Sequence, residues 1–102
     1  MAAGDGTVLT LAAARAHLRV GSAVTDQAIT PLIAAAEGRI EDFLGRKLVG
    51  ETGWATAGVV PPMVAHCAKL ALSDLYVNRE SPQLTDDQLR PMIGRHMAIS
   101  LA

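Results

Sequence analysis

Three histidines, one cysteine and two adjacent acidic pairs are the side chains of this sequence with the chemistry to build a site. His17, His66 and His96 fall in three separate stretches of helical periodicity. None has a second His or Cys at the spacing a metal requires. His66 and Cys67 are adjacent, so a helix sends them in diverging directions. Cys67 lies in an apolar run, where a thiol behaves as a small buried hydrophobe. A nucleophilic thiolate needs an electropositive setting and a paired base, and the sequence places neither beside it. Glu41-Asp42 and Asp86-Asp87 do not converge on one substrate as acid and base, because neighbours on a helix do not face each other. They read as solvated surface or, for Asp86-Asp87, as charge that complements a helix N-terminus. Gly4-Asp5-Gly6 follows no strand and opens no phosphate loop. The expectation is a chain that is not an enzyme and that carries no metal and no cofactor.

The remaining polar clusters suit recognition better than reaction. Tyr76, Asn78, Arg79 and Glu80 close a long apolar run. Tyr76 and Arg79 stand one helical turn apart, on the same side. Tyr and Arg are favoured anchors of protein interfaces, so this group is a candidate subunit or partner contact. An Arg at a helix end also caps free carbonyls. Gly45-Arg46-Lys47, with Arg39 before it, makes a basic end to another helix. Those cations either complement the helix dipole or meet an acidic partner or passing DNA. Trp54 lies in an irregular stretch and looks exposed.

The elements that must position these residues are helices. The chain has 102 residues, enough for one domain. Half of them are apolar, aromatics are three in all, and alanine is abundant. That composition favours closely packed helices over sheets. The net charge of −1 gives no electrostatic reason to bind nucleic acid or a membrane surface. The single Cys67 cannot form an internal disulfide, which fits a reducing compartment. No apolar run reaches the roughly 18–20 residues of a membrane span, and the first residues do not read as a signal peptide. The expectation is a soluble protein made in the cytosol.

Residues 1–8 read as a loose, Gly-rich tail, and 9–102 as a single helical domain. Thr10 caps a short helix from Leu11 to Arg19. Thr25 or Asp26 opens a long helix that runs, bent at Pro31, to Leu44 and stops at Gly45. Its stripe is Ile29, Leu32, Ile33, Ala36, Ile40, Phe43 and Leu44. Lys47 to Val60 is a long irregular loop, in which Leu48-Val49 and Val59-Val60 can pair as a short hairpin. Pro61 or Pro62 starts a third helix that reaches about Arg79. Thr85 caps a fourth, weakened by Pro91 and Gly94. The fold class is all-α, a small bundle of about four helices. The third helix is apolar on nearly every side, and such a helix must be covered on more than one face. So small a domain has few elements to do so, which points to neighbouring copies or partner proteins.

The stretch LTLAAARAHLRVGSAVTDQAITPLI also resembles the opening of a helix-turn-helix DNA-binding regulator. A recognition helix needs basic or amide side chains that reach bases and phosphates. Here the helix after the turn offers Asp26, Gln27, Ala28 and Ile29, with no basic residue before Arg39. This is the alternative reading.

Taken in order, the blocks LTLAAARAHLRV, TDQAITPLIAAAEGRIEDFLGR, VPPMVAHCAKLALSDLYVNRE and LRPMIGRHM resemble the head–tail connector (adaptor) proteins of long-tailed bacteriophages and prophages, from about Leu9 to Met97. The resemblance implies a structural protein of the virion, at the head–tail junction, assembled in the bacterial cytoplasm. It implies a homo-oligomeric ring of roughly twelve copies, joined head-to-tail. That ring would bridge the portal protein to tail-completion or head-closure proteins, and DNA would pass through it without sequence-specific binding. Within that picture Phe43, Leu44, Leu72 and Leu75 pack the subunit. Tyr76, Asn78, Arg79, Glu80 and Trp54 would meet a neighbour or partner. Arg39, Arg46 and Lys47 would face the channel or an acidic patch.

Overall fold

A computed structural model describes residues 6–21, 23–50, 53–78 and 80–97. Four α-helices follow one another: α1 (Leu11–Leu18), α2 (Asp26–Leu44), α3 (Pro62–Val77) and α4 (Asp86–Ile93). Short 3-10 turns occupy Ala57–Val59 and Gly94–His96. The architecture is a small all-α bundle, as its composition requires.

Caps set the boundaries. Thr10, Thr25 and Thr85 each take an extended backbone, and the hydroxyl of each accepts the N–H three residues on. That satisfies a donor the helix itself leaves unpaired. At Thr85 the bond is reciprocal, because the Gln88 side chain accepts the Thr85 N–H. The left-handed Gly45, at φ 70°, ends α2. The end of α1 is less expected, for there a non-glycine residue, Arg19, takes φ 56°. α2 continues through Pro31. One main-chain hydrogen bond is lost there, and the α2 face that packs on α3 holds the helix together.

α2 and α3 form the principal pair, with α1 and α4 packed against them. Ile29, Ile33, Ala36, Ile40, Phe43 and Leu44 of α2 meet Val64, Cys67, Ala68, Ala71 and Leu72 of α3 in one core. Leu89 and Ile93 of α4 close it on one side, and Leu9 and Ala14 on another. Each fully buried Leu or Ile side chain contributes about 1.5–3 kcal/mol. Alanines at 36, 68 and 71 carry almost no side-chain bulk, so the backbones lie close. Leu75 is only half-buried, whereas Phe43, Leu44 and Leu72 are core residues.

α3 is not sheathed on all sides. Met63 is 45% exposed and Val77 74%, and Val59, just before α3, is 58% exposed. α3 also stops at Val77, two residues short of the expected end, with Asn78 as its cap.

The loop between α2 and α3 differs from the expected hairpin. Val49 forms an isolated bridge with Trp54, not with Val59 or Val60. Val59 lies in the 3-10 turn, and Val60 points into the core. The physical reason is the glycines. Gly50 takes φ 135°, and Gly53 approaches so closely that a Cβ there would fall 2.7 Å from the Lys47 carbonyl carbon. These turn the chain back within five residues, and Trp54 N then donates to the Leu48 carbonyl at 3.0 Å.

Candidate functional site

The candidate surface lies where α3 ends. Tyr76, Val77, Asn78, Glu80, Ser81 and Gln83 line one shallow open depression. Thus Tyr76, Asn78 and Glu80 do come together. Tyr76 is half-buried against the core, and Glu80 is exposed. Arg79 lies outside the described residues.

Asp74 braces two residues of this surface, Asn78 and Gln83, from beside it. Its carboxylate accepts the Gln83 and Leu84 N–H groups at 2.8 and 2.9 Å and the Asn78 amide at 3.0 Å. Partial burial alone would raise its pKa. The Leu84 and Gln83 N–H groups, the Asn78 amide and the Arg39 charge outweigh burial and hold the carboxyl below its ordinary value. Asn78 is therefore a brace as well as a surface residue.

Arg39 is drawn into the same structure. Its guanidinium meets Asp86 at 2.6 Å and approaches the Leu84 carbonyl at 3.4 Å. It ties α2 to the start of α4. With the two side chains 31% and 57% exposed, a pair of this kind contributes about 0–1 kcal/mol. Its main effect is positional.

Trp54 is not the exposed ring its surroundings suggested. It is half-buried, with the Arg46 guanidinium 4.2 Å from its ring centre. His96 meets its edge at 5.7 Å between ring centres. Arg46 also approaches the His96 carbonyl at 3.4 Å. Cation–π contact is worth about 0.5–1 kcal/mol at such a site. Trp54, Arg46 and His96 thus bind the loop to the end of α2 and to the last turn. Lys47, beside them, is exposed. Arg39 and Arg46 lie on α2 and just past its end, each engaged with a different part of α4 and its flanks.

One buried group was not singled out by type and spacing. Glu37 is 6% exposed on the apolar face of α2. Its carboxylate accepts the N–H groups of Thr7, Val8 and Leu9 at 2.8–2.9 Å and the Thr7 hydroxyl at 3.1 Å. Gly6 touches it so closely that a Cβ there would lie 2.6 Å from the carboxylate oxygens. Gly6 to Val8, at the end of the segment read as tail, are therefore pinned, while residues 1–5 lie outside the described residues. The sequence signal was present: 37 follows Ile33 by four and precedes Ile40 by three, a core position. His17, one of the three histidines weighed from the sequence, is half-buried. Its Nε2 lies 2.7 Å from the Ser73 hydroxyl. Burial first, then the charges of Lys69 and His66, lower its pKa below 6.5, against a smaller opposing effect of a hydrogen bond to the Lys69 backbone.

Cys67 is fully buried, and burial pushes its thiol pKa up. Its Sγ lies 4.0 Å from Met92 Sδ. His66, next to it on α3 but turned away from the core, is exposed. Among the described residues no group of three His, Cys, Asp or Glu is placed to hold a metal ion, and no helix is long and apolar enough to cross a membrane. What the arrangement offers is a braced corner of mixed polarity and an exposed apolar fringe, both suited to contact with other proteins.

Comparison with curated proteins and with solved structures gives no match. The family model for the phage gp6-like head-tail connector protein matches residues 8–97. It spans all four helices and both clusters described above. The chain is thus a structural connector of a phage particle, a virion component that works among the particle's other proteins, and it belongs to the phage gp6-like head-tail connector family.

Proposed function

We propose that this chain is the ring-forming adaptor between the portal and the tail-completion or head-closure proteins. Roughly twelve copies, joined head-to-tail, would surround the DNA channel. The ring would be assembled in the bacterial cytoplasm. The observation that carries this reading is the family match over residues 8–97, joined to apolar side chains left uncovered at both ends of α3. A subunit with such surface gains stability from neighbours. The near-neutral net charge of −1 suits a conduit through which DNA slides without sticking.

In this arrangement Tyr76, Asn78, Arg79 and Glu80 form the contact with a neighbour or the portal. Trp54 and its loop face an adjacent subunit or tail protein. Arg39, Arg46 and Lys47 border the channel or an acidic patch. Arg39 and Arg46 then serve two purposes, since each is also part of an internal tie.

Particle assembly tests the proposal. Arg79→Ala and Glu80→Lys should leave helicity by circular dichroism unchanged. Each should lower the yield of joined, infectious particles by about tenfold or more, the loss expected for an interface hot spot. Normal yields from both variants would remove this surface from the interface. Normal yields with the gene deleted would remove the adaptor role altogether.

A further inference from the structure

Two shallow depressions meet along α2. One, at the end of the helix, is bordered by Gly45 and Arg46. The other, farther back, is lined by Ala35, Ala71, Leu75 and Pro82. Gly38 and Asp42 belong to both, so the two run together as one groove. A Cβ at Gly38 would meet no atom within 4 Å, and the groove is open at its midpoint. A glycine inside a helix weakens it, and what Gly38 provides here is that open space. Half-buried Leu75, small Ala35 and Pro82 leave apolar surface along the far half.

The segment able to fill this groove starts beside it. Arg46, at the near end, approaches the His96 carbonyl at 3.4 Å. Met97 follows with extended backbone. Residues 98–102, outside the described residues, read Ala-Ile-Ser-Leu-Ala. In an extended chain Ile99 and Leu101 share one side. Five extended residues span at most roughly 17 Å. Back along α2 from Arg46, at 1.5 Å per residue, Gly38 lies about 12 Å away and Ala35 about 17 Å. The reach of the segment therefore matches the length of the groove, with Leu101 falling near Gly38. A tethered segment also meets its own groove at an effective concentration near millimolar, which a separate copy in dilute solution does not attain.

We propose that residues 98–102 of the same chain lie as an extended strap in the α2 groove, with the Leu101 side chain in the open space at Gly38. Seating Leu101 there removes apolar surface of both strap and groove from water. The far end of the strap abuts Asp74, which lines the groove and also grips the Gln83 and Leu84 amides. The contact lies within one subunit, and it goes beyond the ring reading without depending on it.

Disulfide trapping on the full chain tests it. Ala35→Cys combined with Ala102→Cys sets two thiols at the far end of the groove, while Cys67, fully buried, stays out of reach of a mild oxidant. In dilute protein the pair should close within one chain, read as a faster-migrating monomer on a non-reducing gel. Adding Gly38→Leu fills the open space and replaces a helix-weakening residue with a strong helix former. It should slow closure about tenfold or more, and so should Leu101→Ser, as expected when one Leu side chain loses its burial. Helicity by circular dichroism should hold in every variant. Closure at an unaltered rate in both variants would reveal chance collisions of a tethered segment and overturn the strap. Linkage between chains, read as a dimer, would give the groove to a second copy and overturn it as well, and so would no linkage at all. The joining of heads to tails is read separately by the particle assay, so the strap and the adaptor role fail independently.

Discussion

Glu37 stands at a core position of α2, where three backbone amides and a hydroxyl donate to its carboxylate. A buried carboxylate so satisfied is stable, and a buried donor left without a partner costs about 1–3 kcal/mol. Glu37→Gln keeps one oxygen but turns an NH2 toward N–H groups. It should lower unfolding free energy by about 1–3 kcal/mol, read as a shift of the denaturant midpoint. His17 gives a second test. Its folded-state pKa lies below the ordinary 6.5, so below pH 6.5 the unfolded chain binds the proton more readily. Stability should therefore be full above 6.5 and decline as pH falls through the window beneath it. His17→Gln should flatten that part of the thermal-melting profile relative to wild type. An unchanged slope would place the titration elsewhere.

The loop that joins α2 to α3 shows how an element can be built from backbone demands. Gly53 admits no side chain, because a Cβ would press on the Lys47 and Leu48 backbone. Gly53→Ala should open the turn and expose Trp54, which no longer bridges to Val49. As the chain has one tryptophan, its emission should shift to the red, and Arg46→Ala should cause a smaller shift by removing one face of the stack. The helices themselves were legible in the sequence. Threonine caps, Gly45 and the α2 stripe marked them because each is a local rule. The α2–α3 loop was not, since the bridge between Val49 and Trp54 depends on which glycine takes the left-handed turn. Trp54 looked exposed because its partners, Arg46 and His96, are brought to it only by folding. Among the site residues, Tyr76, Asn78 and Glu80 were legible as a cluster. The bracing role of Asn78 was not, as it rests on Asp74 and on the Gln83 amide nine residues beyond Asp74.

At the scale of the molecule, small size and partial coverage go together. A domain near 100 residues buries only about 60–70% of its unfolded surface. Here α2 and α3 consume most of the available apolar cover, and Val59, Met63 and Val77, among the large apolar side chains left exposed, lie at the ends of α3. In the ring proposed above, every copy would present the same fringe in the same place.

The carboxylate of Asp74 carries one more implication. By gripping the amides of Gln83 and Leu84 it fixes the shape of the corner before any partner arrives. Association through the contact proposed above would then lose little conformational freedom on this side, and the free energy of contact would go into affinity instead of ordering. Asp74→Asn, which alters none of Tyr76, Arg79 or Glu80, should for that reason slow the joining of heads to tails in an in vitro complementation assay while the helical spectrum stays the same.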